Sequence, residues 1–136
     1  MKKKHIRFSS GLKHAEELKS LQASHSPIQS IESISVLTHL EDLDISNTPV
    51  EDVYELWRLK KLKKLNCSGT QIKRLDALEK METLEYLDCS NTNVNRISSL
   101  DYLPLKTLKC YNTKIATRLI ENFKASHPDC NVMYYR

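Results

Sequence analysis

This 136-residue chain contains four cysteines, whose spacing indicates whether they could bind a metal ion. Cys67, Cys89 and Cys110 stand 22 and 21 residues apart, and Cys130 follows three residues after His127. A structural zinc site needs four ligands, commonly with a Cys-x-x-Cys pair, and the sequence contains no such pair. Further steps of 22 residues back from Cys67 reach Ile45 and Ala23, so this position suits a small apolar side chain. We therefore predict reduced thiols in the core, and no metal or cofactor.

Catalytic residues would have to come from the histidines or the carboxylates. The five histidines fall at unrelated positions, and no serine or cysteine has an evident base beside it. Asp42, Asp44 and Asp88 are predicted below to share one face of a sheet, where paired carboxylates can serve acid–base chemistry. A flat and hydrated sheet face offers no pocket that would raise a pKa. We therefore predict no catalytic residue and no enzyme activity.

A run of cations points instead to a polyanion partner. The segment from Arg58 to Lys64 also contains Lys60, Lys61 and Lys63, and the chain carries a net charge of +4. Binding of nucleic acid or another polyanion through this cluster is the alternative function. The second position of successive repeats, however, alternates in sign: Lys19, Glu41, Lys63, Glu85 and Lys106. Cations that stand between anions on adjacent strands stabilise the register, so we favour a structural role and expect no nucleic-acid partner.

An internal repeat supplies the elements that position these residues. Copies begin at Leu40, Leu62, Leu84 and Leu105, at intervals of 22, 22 and 21 residues, and one further step back reaches Leu18. The first half of each copy alternates around apolar positions, which predicts a short strand. The second half places an apolar residue at every third position, which is typical of 3₁₀ structure. One copy cannot bury enough apolar surface to offset the ordering of its own chain, so the copies must stack.

The pattern resembles the leucine-rich-repeat proteins, because consecutive copies follow L-x-x-L-x-L-x-x-N-x-L. The repeat of about 22 residues, with an apolar residue at every third position of its second half, is similar to the repeats of the short-repeat class. That class includes the internalins and the phosphatase-regulating repeat proteins. Hydroxyl residues, which can still bond backbone groups, stand where that family usually has asparagine: Ser26, Thr48, Thr70, Thr92 and Thr113. The resemblance implies an α/β fold, a right-handed solenoid of five stacked repeats with a parallel concave sheet and 3₁₀-like turns on its convex side.

Both ends of a solenoid need caps, because each exposes apolar surface and an unpaired strand edge. Residues 1–17 are predicted to form an N-terminal cap, in which Ile6 and Phe8 alternate like a strand. The repeats occupy residues 18–115, and residues 116–136 form a C-terminal cap within the same domain. In this cap a helical stripe ends at the His-Pro pair 127–128, and a last strand pairs with the edge at residues 105–111.

The concave face is the predicted binding surface. Five or six strands, each about 17 Å long, give it about 400 Å², half of the roughly 800 Å² that each partner contributes to a standard complex. The serines at positions 20, 24, 46, 68 and 90 are expected to be exposed there among larger side chains. The candidate binding residues on this face are Asp42, Asp44, Lys64, Asn66, Tyr86, Asp88, Lys109 and Tyr111. We predict a rigid, non-enzymatic module that binds a protein or peptide partner.

A rival site lies on the convex side, where Tyr54 and Trp57 occupy positions that other repeats fill with Ser, Glu, Asp or Ala. These two aromatic rings either form a second binding site or pack against a flanking coil. The sequence has no apolar run long enough to span a membrane and no signal-like apolar stretch near the N-terminus. We accordingly expect a cytoplasmic monomer without membrane insertion.

Overall fold

The computed structural model describes residues 17–134, in which short parallel strands recur at the interval of the sequence repeat. Each strand pairs in parallel with the next one along the chain. The strands are β1 (Ser20–Gln22), β2 (Asp42–Asp44), β3 (Lys64–Asn66), β4 (Tyr86–Asp88), β5 (Thr107–Lys109) and β6 (Asn131–Met133). The predicted solenoid with a single parallel sheet is therefore confirmed. The predicted N-terminal cap, apart from residue 17, lies outside the described residues.

The inward side of the sheet forms the core. The central residue of each of the first five strands is a fully buried leucine, and the residue two positions later is also buried. At that second position Cys67, Cys89 and Cys110 are at most 1% exposed, as predicted from the repeat. The strands are only three residues long, about 10 Å. The longer strands assumed in the sequence estimate of the face area were wrong, because the alternation of buried residues extends past the paired segment.

Tight turns form the convex side. The 3₁₀ helices Tyr54–Arg58, Asp76–Leu78 and Ser98–Leu100 occupy equivalent places in three consecutive repeats. In the first described coil, the N–H of Ile34 donates to the carbonyl of Ile31 at 3.0 Å, which is the same i to i−3 bond. The spacing of three therefore predicted these turns correctly, because such a bond places every third side chain on the same face.

The turn after each of the strands β1–β5 uses two residues in succession. The first residue has a positive φ, namely 60° at His25, 55° at Asn47, 68° at Gly69, 56° at Asn91 and 51° at Asn112. The next residue is the hydroxyl residue predicted from the repeat. In every case its hydroxyl donates to the backbone carbonyl three residues earlier, at 2.7 Å in the turn that follows Gly69.

The alternating charges follow the backbone ladder between coils. The N–H of Lys63 donates to the carbonyl of Glu41 at 2.8 Å, and the N–H of Glu85 donates to the carbonyl of Lys63 at the same distance. The ammonium of Lys106 lies 3.6 Å from the carboxylate of Glu85, with both side chains exposed. The pattern places opposite charges on neighbouring coils, as predicted, and the ion pair between Lys106 and Glu85 contributes about 0.2–1 kcal/mol.

The C-terminal cap closes the last repeat. Helix α1 (Thr117–Ser126) buries Ile120 and Phe123 against the end of the core. The chain then turns at His127 and returns as β6, which pairs with β5. The predicted helix and strand are confirmed in residues 117–133, while Tyr135 and Arg136 lie outside the described residues.

Candidate functional site

The sheet register brings the predicted concave residues onto one face. Asp42, Lys64 and Tyr86 are direct neighbours in a first row across the strands. A second row, two positions further along, is formed by Asp44, Asn66, Asp88 and Lys109. Tyr111 extends the face past β5, where its carbonyl accepts the N–H of Asn91 at 2.8 Å. All eight candidate residues therefore lie on one continuous surface.

Three of the candidates also hold the turns that leave the strands. Oδ1 of Asp44 accepts the N–H of Ser46 at 2.9 Å and the hydroxyl of the same serine at 2.6 Å. Asn66 and Asp88 accept the N–H of the serine two residues later at 3.1 and 3.0 Å. The sequence analysis missed this role, although the recurring Asp/Asn-x-Ser spacing is a signal for such a side-chain turn.

The serines of this face are less exposed than expected. Ser20, Ser46 and Ser90 are 0%, 5% and 4% exposed, so the prediction that they contribute to the exposed surface was wrong for these three. Ser90 accepts the N–H of Tyr111 at 3.0 Å, which explains its burial as part of the scaffold. The hydroxyl of Ser20 finds no hydrogen-bond partner within residues 17–134. The accessible chemistry of the face thus comes from the larger side chains.

Tyr86 and Lys109 contact each other across the neighbouring strands β4 and β5. The ammonium of Lys109 lies 5.5 Å from the centroid of the Tyr86 ring, which is a cation–π geometry. A hydrogen bond with Tyr86 raises the pKa of Lys109, and the charge interactions with Tyr86, Asp88 and Tyr111 act in the same direction. Burial opposes this shift. Lys109 therefore carries a positive charge that is fixed above an aromatic ring.

The cysteine column is buried beneath this face. Sγ of Cys67 donates to the carbonyl of Asp88 at 3.4 Å, and the three repeat cysteines are free thiols. Burial raises the pKa of Cys110 to about 11, with smaller contributions from Asp88 and Cys130. Burial also raises the pKa of Cys67 and Cys89 well above the ordinary range. Thiols that remain protonated are poor nucleophiles and poor metal ligands, so the column acts as packing.

Residues 17–134 contain no group of three or more His, Cys, Asp or Glu side chains placed to hold a metal ion. No helix in this range has the length and apolar character needed to cross a bilayer.

Two hollows lie near the C-terminal cap. One of about 400 Å³ lies between the turn at residues 96–101 and helix α1, and another of about 750 Å³ borders β6. Tyr111 lines the second hollow, which places it beside the concave face.

The convex candidates are exposed. Tyr54 and Trp57 are 64% and 40% exposed and belong to the same 3₁₀ helix. The guanidinium of Arg58 and the ammonium of Lys60 lie 5.5 and 5.2 Å from the Trp57 ring centroid. Two further exposed apolar or aromatic side chains on this side, Val36 and Tyr102, had no distinguishing signal in the sequence. Trp57 therefore presents an aromatic surface between two cations.

The cation run does not form one patch. Lys64 lies on the concave sheet, whereas Arg58 and Lys60 lie on the convex side against Trp57. Lys63 stands in the charge ladder between Glu41 and Glu85. The members of the run that are consecutive in sequence are thus divided among different surfaces of the solenoid.

Comparison with known proteins identifies the repeat. A family model described as leucine-rich repeats in two copies matches residues 60–104. No curated protein sequence matches the chain. Among solved structures, internalin C2 of Listeria monocytogenes aligns with a TM-score of 0.76 and 26% identity, over 87% of this chain and 54% of that one.

Two further solved structures share the fold. A second internalin of the same bacterium gives a TM-score of 0.69 at 15% identity, over 88% of this chain and 43% of that one. A leucine-rich-repeat protein of Leptospira interrogans gives 0.73 at 19% identity, over 93% of this chain and 39% of that one. The chain thus spans about half, or less, of the length of these structures.

Proposed function

The chain is a short-repeat leucine-rich-repeat protein, and from this premise we propose that it binds a peptide segment or loop of a protein partner through its concave face. The fold generally mediates protein–protein interaction, and proteins that carry it are typically binding modules rather than enzymes. The observation that carries the proposal is the pairing of Tyr86 with Lys109 on β4 and β5, beside turns that are held by side-chain hydrogen bonds. We propose that the chain acts in this way as a monomer and without catalysis.

Preorganisation supports binding at this face. Asp44, Asn66 and Asp88 are each held by a serine two residues later, so their side chains have few alternative conformations. Lys109 is restrained by the Tyr86 ring. A side chain that is already ordered loses less conformational entropy when a partner binds, and the saving is about 0.5–1.5 kcal/mol for each restrained long side chain.

Strands β2 and β5 of the face carry opposite charges, and Lys64 on β3 and Asp88 on β4 lie between them. Asp42 and Asp44 lie on β2, whereas Lys109 lies on β5 beside the rings of Tyr86 and Tyr111. Three strand intervals separate β2 from β5, about 14 Å at ~4.8 Å each. A segment that crosses the strands with a basic side chain over β2 and an acidic or aromatic one over β5 would match both ends. Tyrosine is enriched in interface hot spots, so the β4–β5 end is expected to contribute most of the affinity.

The size of the face limits the partner. Six strands extend about 24 Å across the sheet, and each is about 10 Å long. This area is well below the roughly 800 Å² per partner of a standard complex. An extended segment or a loop therefore fits better than a large folded surface.

Affinity capture with a matched control tests the proposal. The variant Tyr86→Ala/Tyr111→Ala removes both rings, and Tyr102→Ala removes a 94% exposed tyrosine from the convex side. Captured from native lysate and identified by mass spectrometry, the partner should be recovered by the wild type and by Tyr102→Ala. Its recovery by the double variant should fall at least tenfold, about 1.4 kcal/mol. Undiminished recovery by a folded double variant would contradict the proposal.

Charge reversal separates the two ends of the face. If the partner follows the charge gradient, Asp42→Lys and Lys109→Glu should each weaken capture, and the salt dependence of binding should change with each. Lys114→Glu, on an exposed loop after β5, reverses the same charge away from the sheet and provides the control. Equal weakening by Lys109→Glu and Lys114→Glu, with the opposite effect of Asp42→Lys, would show net charge, rather than the face, to be responsible.

A second candidate is polyanion binding at the convex Trp57, together with Tyr54. An aromatic ring flanked by cations can stack on a nucleobase while the cations contact phosphate, and Arg58 and Lys60 flank Trp57 in this way. Elution from heparin only at high salt, and loss of that retention in Trp57→Ala with Lys60→Ala, would support it. Elution at low salt would contradict polyanion binding and favour the binding of a protein segment at the concave face.

A further inference from the structure

One imidazole joins helix α1 to the last complete repeat. Nδ1 of His127 lies 2.8 Å from the carbonyl oxygen of Phe123, one helical turn earlier. Nε2 lies 2.8 Å from the carbonyl oxygen of Asp101, 26 residues away on the turn after the 3₁₀ helix Ser98–Leu100. The ring also stacks on Phe123, with centroids 3.9 Å apart and an interplanar angle of 14°. His127 therefore contacts both the helix and the coil beneath it.

The chemistry of these two contacts requires two protons. A backbone carbonyl accepts hydrogen bonds and cannot donate one, so each ring nitrogen must donate its own N–H. A neutral imidazole has one N–H and one acceptor nitrogen, whereas the imidazolium has two N–H donors. We propose that His127 is a proton-dependent clasp, which fastens the C-terminal cap with two hydrogen bonds when its ring is doubly protonated and with one when the ring is neutral.

The ring lies at the C-terminal end of helix α1. The carbonyl of Phe123 is among the last four of helix α1, which have no partner within the helix and form the negative end of its dipole. The charged residues on the elements around the ring are Asp101 on the turn beneath, Asp129 on the loop that follows, Arg96 just before the 3₁₀ helix and Lys124 on α1. Lys124 directs its ammonium to the Tyr134 ring, 5.6 Å from the centroid.

Loss of one proton leaves a carbonyl and a ring nitrogen facing each other as two acceptors. Imidazole is the side chain that changes charge between about pH 5 and 8. The clasp therefore has two hydrogen bonds in the imidazolium and one in the neutral ring. Ile120 and Phe123 of the same helix cover the end of the core. The second hydrogen bond of His127 therefore stabilises the packing of α1 on that end.

Two measurements on the full chain test the clasp. ¹⁵N spectra of the His127 ring should show both nitrogens protonated at the lowest pH at which the protein is folded. Amide hydrogen exchange in α1, corrected for its intrinsic pH dependence, should be about tenfold slower at pH 5.5 than at pH 8, as expected for one charge-assisted hydrogen bond. In His127→Gln this ratio should fall towards one, whereas His39→Gln, which removes an exposed imidazole from another coil, should retain it.

Either of two results overturns the proposal. One is a His127 ring with an unprotonated nitrogen throughout the folded pH range. The other is a His127→Gln variant whose α1 exchange keeps the pH dependence of the wild type. If that variant fails to fold, the ¹⁵N spectrum of the wild type still decides the protonation state. Neither result depends on whether the concave face binds a partner.

Discussion

Lys109 and Tyr86 make a diagonal contact across β4 and β5, with the ammonium 5.5 Å from the ring centroid. Tyr86 is paired in register with Thr107, and Lys109 lies two positions beyond it on the same strand. This contact places one positive charge of the face above an aromatic ring and next to Asp88 in the second row. The two side chains therefore form one unit, and a change at either one is expected to alter the other.

Substitution of Tyr86 should lower the pKa of Lys109. The hydrogen bond with the tyrosine is the largest cause of the raised pKa, followed by the charge interaction with the same group. Tyr86→Phe, which keeps the ring and removes the hydroxyl, should move the pKa back towards its ordinary value, and Tyr86→Leu should do so at least as far. Titration of the Lys109 side chain by NMR measures the change. The control Tyr102→Phe should have no effect, and an unshifted Lys109 in Tyr86→Leu would show that the contact does not persist in solution.

The buried threonine hydroxyls should contribute measurably to stability. Thr70 and Thr92 each donate to a backbone carbonyl at 2.7 Å and are 5% exposed. Replacement by valine keeps the shape but leaves the carbonyl without this donor, so each change should lower the free energy of unfolding by about 1–2 kcal/mol. Urea denaturation gives the value.

Thr113 provides the matched comparison for that series. It occupies the same position in the last repeat, but its hydroxyl lies 3.4 Å from the carbonyl and the side chain is only half-buried. Thr113→Val should therefore cost less than either of the other two changes. An equal loss at all three sites would indicate that the β-branched shape, rather than the hydrogen bond, is what the position requires.

The repeat made the architecture predictable because every coil buries apolar side chains at equivalent positions. Apolar spacing located the buried leucines, the cysteine column and the 3₁₀ turns, since each of these follows from which side of a coil a residue occupies. Strand length was not predictable in this way, because burial continues past the residues that pair. The α-helical cap was predictable from its change of spacing at Ile120 and Phe123.

The candidate face was predicted in position but not in detail. Register alone placed Tyr86 beside Lys64, whereas the diagonal contact with Lys109 depends on side-chain conformations that spacing does not determine. The role of Asp44 as an acceptor for Ser46 was missed because each residue was considered only as an exposed group. The contact between His127 and Asp101 joins residues 26 apart, outside the repeat, so no period could indicate it.

Gly69 should tolerate substitution poorly for two separable reasons. Its φ of 68° lies in the left-handed region, and a Cβ at this position would meet Oδ1 of Asn47 on the neighbouring coil. The conformational part of the cost is about 1–2 kcal/mol for an L-residue. Gly69→Ala should therefore destabilise the protein by at least this amount in urea denaturation.

A double-mutant cycle separates the two causes. Asn47→Ala removes the side chain that the new methyl group would meet but leaves the backbone conformation of residue 69 unchanged. Gly69→Ala should therefore cost less in the Asn47→Ala background than in the wild type, with a remainder near the conformational value. An identical cost in both backgrounds would show that the side chain of Asn47 moves aside freely.

The buried thiols should make the protein less stable in alkali. In an unfolded chain a cysteine ionises near its ordinary value of 9.0, whereas burial raises the pKa of Cys110 to about 11 in the folded state, and that of Cys89 is also raised. Only the unfolded chain gains from ionisation in this window, so the stabilising effect is complete below pH 9 and is lost as the pH rises towards 11. Each such thiol adds a slope that approaches about 1.4 kcal/mol per pH unit.

Cysteine-to-alanine variants isolate this effect from the titration of lysines and tyrosines. The free energy of unfolding, measured in urea between pH 8 and 10.5, should fall less steeply for Cys89→Ala than for the wild type. Cys130→Ala, at a half-buried position whose pKa is raised by burial alone, should change the slope less. Because the other titrating groups are common to all three proteins, they cancel in the comparison. Parallel curves for the wild type and Cys89→Ala would mean that the column is reached by hydroxide or solvent in the folded state, against the burial that the stacked repeats impose.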